Sequence, residues 1–416
     1  MGGSGFFFNG VHSKQAGWAG RDEANRDMIM NLRRNIFRPL CFAWIALFCG
    51  VGYGAASLAA GMVWAWGGNH SGQLGNASKD TRPYTTPAQV TGVADMSAVA
   101  ARFGVSLALK TDGTVWIWGD NEGGLLGDGS TLHQLSPVQV RDLANIIAIA
   151  GGRYHSLALK ADGTVWAWGE NGNGQVGDGT TSVRTIPVQV SGLTDVIAIA
   201  GGRYHSLALK ADGTVWAWGE NVDGELGDGT TIKRLNPVRV SNLVRIAAIA
   251  AGGGHNLALK SDGTVWAWGF NRSGQVGDGT ATNRLSPVRV IGLAGVAAIA
   301  AGGDHSLAVR IDSTVWTWGS NWAGQLGDGT TNTRLNPVRI DGLDGIVSVA
   351  SGHYFSLALK TDGSVWAWGP NKDGQLGDGT IADRLSPVQV QGLAGVTALV
   401  GGNDHSLAIV GFGHPK

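Results

Sequence analysis

The sequence predicts an all-β fold, a seven-bladed β-propeller of four-stranded antiparallel blades, closed by N- and C-terminal strands that share one blade. Three observations carry that expectation. The first Trp of a Val-Trp-x-Trp-Gly motif falls at 64, 116, 166, 216, 266, 316 and 366. A Ser-Leu-Ala motif (Asn-Leu-Ala at 256) begins at 106, 156, 206, 256, 306, 356 and 406. After the first unit every interval is 50, the self-similarity of a repeat architecture. The composition agrees: 68 glycines and 17 tryptophans in 416 residues, with only 15% charged, suit short strands and tight turns and exclude a disordered chain.

One unit justifies its elements in order. Ile146 to Ala150 alternates large and small, and Gly151-Gly152 turns the chain. His155 to Lys160 reads as a second strand, and Asp162-Gly163 is the signal of a tight hairpin. Thr164 to Trp168 makes a third strand. A glycine-rich loop, Asn171 to Gly179, leads to a short fourth strand, Pro187 to Val190, with proline at its start where no ladder N–H is needed. Four short strands per repeat make a propeller blade. Alternation places Trp166 with Trp168, Leu157 with Leu159 and Ile147 with Ile149, and leaves Ala148, Ala158 and Ala167 opposite. The expectation is a bulky face that nests on the small face of the next blade.

The ends explain closure. The repeats begin at Val63-Trp64 with no preceding Ser-Leu-Ala strand, and finish at Ser406-Leu407-Ala408-Ile409 with no following Trp strand. Each end supplies what the other lacks, and joining them removes an open sheet edge.

Ahead of the repeats, Arg33, Arg34 and Arg38 precede an uncharged run from Leu40 to Ala60 with an Ala/Ser-rich exit. That is the plan of a secretory signal peptide, preferred here over an uncleaved anchor because Gly50, Gly52 and Gly54 weaken a spanning helix. The expected organisation is a non-structural or mis-started extension at 1–27, a signal peptide or membrane anchor at 28–60, and a propeller at 61–412. The expected location is secreted or periplasmic, with anchoring by residues 40–60 as the alternative.

Charge and cysteine narrow the function. Residues 1–59 hold six of 31 basic and three of 31 acidic residues, which leaves the remainder at net −3. A nucleic-acid binder shows a basic excess, so none is expected here. Both cysteines, Cys41 and Cys49, precede the repeats, which excludes disulfides, zinc–thiolate sites and cysteine nucleophiles from the main body.

The run starting at Gly151, Gly-Gly-Arg-Tyr-His-Ser-Leu-Ala-Leu-Lys followed by Asp-Gly-Thr-Val-Trp-Ala-Trp-Gly, resembles the regulator of chromosome condensation repeat, and the resemblance covers about residues 62–412. It implies a seven-bladed propeller with a shared closing blade. The founding eukaryotic members exchange nucleotides on a small GTPase through an insertion for which the constant spacing of 50 leaves no room. The plant ultraviolet receptor of this fold carries Trp in the loop before the His-Ser/Thr motif, and no Trp stands in that loop here. Secreted bacterial members, including inhibitors that clamp an enzyme through one propeller face, match the context best.

Positions that escape the copying mark candidate sites. In the loop after each first strand the two variable residues are Phe103-Gly104, Arg153-Tyr154, Arg203-Tyr204, Gly253-Gly254, Gly303-Asp304, His353-Tyr354 and Asn403-Asp404. These loops should ring one end of the central channel. Arg and Tyr are common interface anchors, so Arg153, Tyr154, Arg203, Tyr204, His353 and Tyr354 form the expected partner-binding patch, with Trp322 as a second candidate. Three readings of less consequence accompany it. His155, His205, His255, His305 and His405 are expected to bond backbone at strand ends rather than to form a metal ring, each being on its own blade. Asp178 and its copies are expected to form turns rather than bind calcium. Arg184 and its copies are expected to bond those carboxylates. No catalytic residue, metal or cofactor is expected. The leading reading is a monomeric, exported, non-enzymatic protein binder that meets a membrane only through an uncleaved N-terminal segment. An exchange factor for a small GTPase and a carbohydrate-active or hydrolytic propeller are the alternatives.

Overall fold

The structure is a computed structural model that describes Met1 and residues 60–412. The expected leader and extension lie outside the described residues. Every described strand lies within the unit 45–416. No helix among the described residues is long and apolar enough to cross a membrane.

Every described element is a strand, from Gly61–Asn69 to His405–Gly411. Five sheets are four-stranded and antiparallel, with strands in sequence order. A sixth, eight-stranded sheet runs Val396–Gly401, His405–Gly411, Gly61–Asn69, Met96–Arg102, Val105–Lys110, Val115–Gly119 and Gln134–Gln139, with Asp80–Gln89 paired to Gly61–Asn69. Its two halves meet through one bridge, Gly61 opposite Met96. Within it the chain ends pair antiparallel, from Gly61 opposite Gly411 to Gly67 opposite His405.

In the repeat that begins at Ile146, the strands are Ile146–Gly151, His155–Lys160, Val165–Gly169 and Arg184–Gln189. The hairpin forms as its Asp-Gly pair requires. Gly163 has φ +80°, and the Asp162 carboxylate accepts from the Thr164 amide at 2.9 Å and hydroxyl at 2.6 Å. The outer strand differs from expectation. It starts at Arg184, so Pro187 lies inside it rather than at its head. The register slips between Arg184 and Val188, and the proline sits in that slip on an edge strand, where its missing N–H breaks no inner ladder.

Face assignment also needs correction. Cross-strand partners share a face, and the register sets Leu157 opposite Ala167 and Ala158 opposite Trp166. The leucines therefore join Ala148 and Ala167, and the tryptophans join Ala158. Each face mixes large and small residues. Leu157, Leu159, Val165 and Ala167 pack on Ala208, Trp216 and Trp218 of the next blade. A bulge between Ile146 and Ala148 breaks the alternation and leaves Ile147 exposed while Ile149 packs inward.

The two tryptophans of each motif lie at different depths. Trp168 and its counterparts are fully buried, whereas Trp166 is partly exposed with the Lys160 ammonium 4.2 Å from its ring centroid. In other copies the buried indole N–H crosses to a neighbouring blade, Trp218 donating to the Gln175 carbonyl at 2.9 Å and Trp318 to that of Gln275 at 2.8 Å, whereas that of Trp168 has no partner among the described residues. The glycine-rich loop is thereby pinned beneath the next blade, and it brings its own tip to the same end as the loop after the first strand.

Candidate functional site

That end is built on a repeated glycine–histidine pair. At Gly152 a Cβ would lie 2.1 Å from Cε1 of His155, so only glycine leaves room for the imidazole folded beneath the loop. The ring reaches the neighbouring blade, with Nε2 of His155 2.7 Å from the Ser206 hydroxyl. Ser206 donates onward to the Gln175 carbonyl at 2.9 Å, so the proton between the two side chains belongs to the histidine. His205–Asn256, His255–Ser306, His305–Ser356 and His405–Ser106 repeat the clasp at 2.7, 2.8, 3.0 and 3.0 Å. The expected bond to backbone is thus a bond to the side chain of the next blade, one step short of a carbonyl. Burial holds His155, His255 and His305 down to about 3 and His205 to about 4, so these imidazoles are neutral connectors. Each is committed to a different blade, which removes the metal-ring reading.

The first copy departs from this plan. Val105 stands where histidine would, and Arg102 where glycine would. The Arg102 side chain is buried and donates to the Leu125 carbonyl at 2.9 Å. Burial lowers its guanidinium to about 10, and it remains charged at neutral pH.

Around the channel mouth backbone bonds link neighbouring loops from Arg153 round to Phe103. Arg153 donates to the Gly202 carbonyl at 2.9 Å, Arg203 to Gly253 at 3.2 Å, Gly303 to His353 at 2.7 Å, His353 to Gly402 at 2.9 Å and Asn403 to Phe103 at 3.3 Å. The first variable residue of each loop lines a channel of about 280 Å³, among them Phe103, Arg153, Arg203, His353 and Asn403. Among the described residues no Asp or Glu lines it.

The expected patch residues fall into two clusters on this end. Tyr154 stacks on Tyr204 with centroids 5.4 Å apart and meets Phe103 at 5.8 Å. Arg153 lies 4.9 Å from the Phe103 ring and 5.3 Å from that of Tyr154, and Arg203 lies 5.1 Å from that of Tyr204. In the second cluster His353 meets Tyr354 at 4.1 Å, and Trp322 meets Tyr354 edge-on at 5.4 Å. Trp322 stays 60% exposed, so that contact covers only part of it. Burial, and then the charges of Arg153 and Arg203, lower His353 to about 4. Phe103 belongs to the first cluster although a search for Arg and Tyr anchors passes over it. Its signal was legible, since it holds the same variable position as Arg153.

Arg153 and Arg203 also differ from the arginines of the outer strands. Arg184, Arg234, Arg284, Arg334 and Arg384 each bond the aspartate six residues earlier, as expected. Those aspartates are fully engaged: Asp178 accepts from Asn171, from Thr180 and from Arg184, which agrees with a turn-forming role. Arg153 has no ion pair among the described residues, and its buried Nε has no hydrogen-bond partner there. The one group of side chains among the described residues with metal-ligand spacing is His70, Asp373 and Asp404, on the same end.

Comparison with known proteins places this geometry. A family model described as RCC1-like domain matches residues 13–295, and regulator of chromosome condensation (RCC1) repeat models match 312–359 and 362–409. The Protein RCC2 homolog of Danio rerio is 34% identical over 110 residues, 24% of this chain and 22% of its own length. The match therefore spans about a fifth of that relative. The crystal structure of human WBSCR16 superposes with a TM-score of 0.76 at 25% identity, over 84% of this chain and 99% of that one. Prp20p of Saccharomyces cerevisiae, described with its binding properties to Gsp1p and histones, gives 0.77 at 22% identity, over 87% and 94%. The second identity is low enough that the likeness speaks for the fold alone.

Proposed function

For a chain that belongs to the RCC1-like repeat family, as this one does, we propose a non-enzymatic binding protein that takes a protein partner on the channel end carrying Arg153, Tyr154, Arg203, Tyr204, His353, Tyr354 and Trp322. The stacked array of Phe103, Tyr154 and Tyr204 flanked by two arginines without ion pairs supports this reading most directly. Rigid aromatic rings and guanidinium groups lose little freedom on docking and recur as anchors of protein interfaces. That Prp20p is described with protein partners is consistent with the class of function.

In this reading the eight-stranded sheet is two blades joined at the Gly61–Met96 bridge, so the ring has seven blades. The pairing of Gly61–Gly67 with His405–Gly411 closes it, which leaves the binding end rigid. We also hold that residues 28–60 direct export and that the mature protein is a monomer. Intact mass of the exported chain reads the first point: a start near residue 60 supports it, and an uncut cytosolic protein overturns it.

The binding proposal is tested by capture from the native extract, comparing wild type with a variant carrying alanine at 153, 154, 203 and 204. The expected result is loss of the captured protein with an unchanged urea midpoint, since these side chains lie outside the inter-blade cores. Equal capture by the two proteins would remove the proposal.

A further inference from the structure

We propose that His70, Asp373 and Asp404 form a divalent-cation site, of zinc-like preference, that fastens the N-terminal strand pair to the C-terminal part of the ring. His70 follows the first described strand, whereas Asp373 and Asp404 lie 303 and 334 residues further on. Nε2 of His70 is 3.2 Å from Asp373 Oδ1 and 3.9 Å from Asp404 Oδ2, and the three ligand atoms all lie within 4.8 Å of one another. Ligands that share an ion at about 2.0–2.2 Å stand no more than roughly 4 Å apart. Small side-chain rotations bring this group into range. One imidazole and two carboxylates with open positions for water make a borderline donor set that suits zinc better than calcium or magnesium.

Two observations separate this group from a chance surface pair. The first lies beneath it. His405 is fully buried, and its Nε2–H is committed to Ser106, which itself donates to the Gln73 carbonyl at 2.7 Å. Its Nδ1 makes no hydrogen bond among the described residues and stands 3.7 Å from Asp404 Oδ1. The buried Gln73 donates to Asp404 Oδ1 at 3.2 Å and so orients the carboxylate as an outer partner of a metal ligand does. The second observation is the repeat itself. The three residues hold defined positions in their copies, and at none of the six other junctions do those positions carry more than one His, Asp or Glu. The copy that departs is the one that joins the two ends of the chain.

A cation held there binds the folded ring and not the open chain, so it stabilises by mass action. The test uses tag-free protein stripped with chelator and titrated with zinc chloride, followed by calorimetry and by thermal unfolding. Expected is one saturable equivalent and a rise in Tm that chelator reverses. His70→Ala, Asp373→Asn and Asp404→Asn should each lose the saturable binding and the rise in Tm. His133→Ala, which breaks a His–Asp pair of the same 3.2 Å length without a third ligand, should keep both. Gln73→Ala should weaken zinc affinity roughly ten- to a hundredfold. His70 is exposed enough that its removal leaves the metal-free urea midpoint in place, which separates lost ligation from lost folding. Absence of one-to-one binding in the wild type, or binding by His70→Ala as tight as wild type, overturns the proposal.

Discussion

Glu225 stands where neighbouring copies carry Gln175, Gln275, Gln325 and Gln375. It makes the same contacts: its carbonyl accepts from Trp268 and Asn256, and its side chain accepts from the Asp223 amide. Burial pushes its carboxyl up to about 7, with Glu220 and Asp223 adding to the shift. The sign is set by linkage. A carboxyl raised from 4.5 stabilises fully below that value, and the benefit is lost as pH rises through about 7. Glu225→Gln should therefore raise the urea stability at pH 8 by on the order of 3 kcal/mol and leave it nearly unchanged at pH 4. An equal effect at the two pH values would mean that the residue is not titrating. His155, His205, His255 and His305 titrate in the opposite sense at lower pH, in wild type and variant alike, and cancel in the difference. The glycine–histidine pair allows a second test. At Gly202 a Cβ would meet three atoms of the His205 ring, the nearest at 2.1 Å. Gly202→Ala should cost roughly 1–3 kcal/mol by overpacking. His205→Val in the same chain should recover part of it, as the Arg102–Val105 pair of the first copy indicates. A double-mutant cycle reads the coupling, and strict additivity would contradict the packing account.

At the scale of the element, the four strands were legible because each carries its own local signal. The Asp-Gly hairpin at 162–163 and the Trp-x-Trp strand fall where the residues indicate, within one position. The face assignment was not legible. Alternation within a strand says which residues share a side, but only the register between strands says which sides coincide. Leu157 could have faced with Trp166 or with Ala167, and the pairing chose Ala167. Bulges are hidden for the same reason. The slip at Ile146–Ala148 recurs at Val196–Ala198 and Ile246–Ala248, yet no Gly or Pro stands at the slip itself. The clasps were half legible: a histidine in most copies of one position declared a shared structural role. Its partner sits on another blade, 51 residues on, beyond any local pattern.

For the whole molecule, the proposed closure rests on a few residues. Deleting 396–412 removes the strands that pair with Gly61–Gly67 and strips Trp66 of its neighbours Ala408 and Val396. The truncated chain should lose its single cooperative unfolding transition and aggregate through the freed edge of Gly61–Asn69. A soluble truncation that unfolds like wild type would show that the ring does not need its seam. The same scale decides what of the site could be foreseen. Which loops ring the channel followed from the repeat, so Arg153, Tyr154, Arg203 and Tyr204 were legible as neighbours. The seam group His70, Asp373 and Asp404 was not, since only closure brings 70 beside 404.

The central claim, that one end of the ring binds a protein, is tested most directly by photo-cross-linking from both ends. A photoreactive residue is placed at 154, 204 or 354 on the loop end, or at 161, 211 or 361 in the hairpin turns at the far end of the second strands. Irradiation in the native extract, followed by mass analysis, should yield the same cross-linked protein from the first three positions and none from the second. Adducts from the hairpin end alone, or equally from both, would contradict the account.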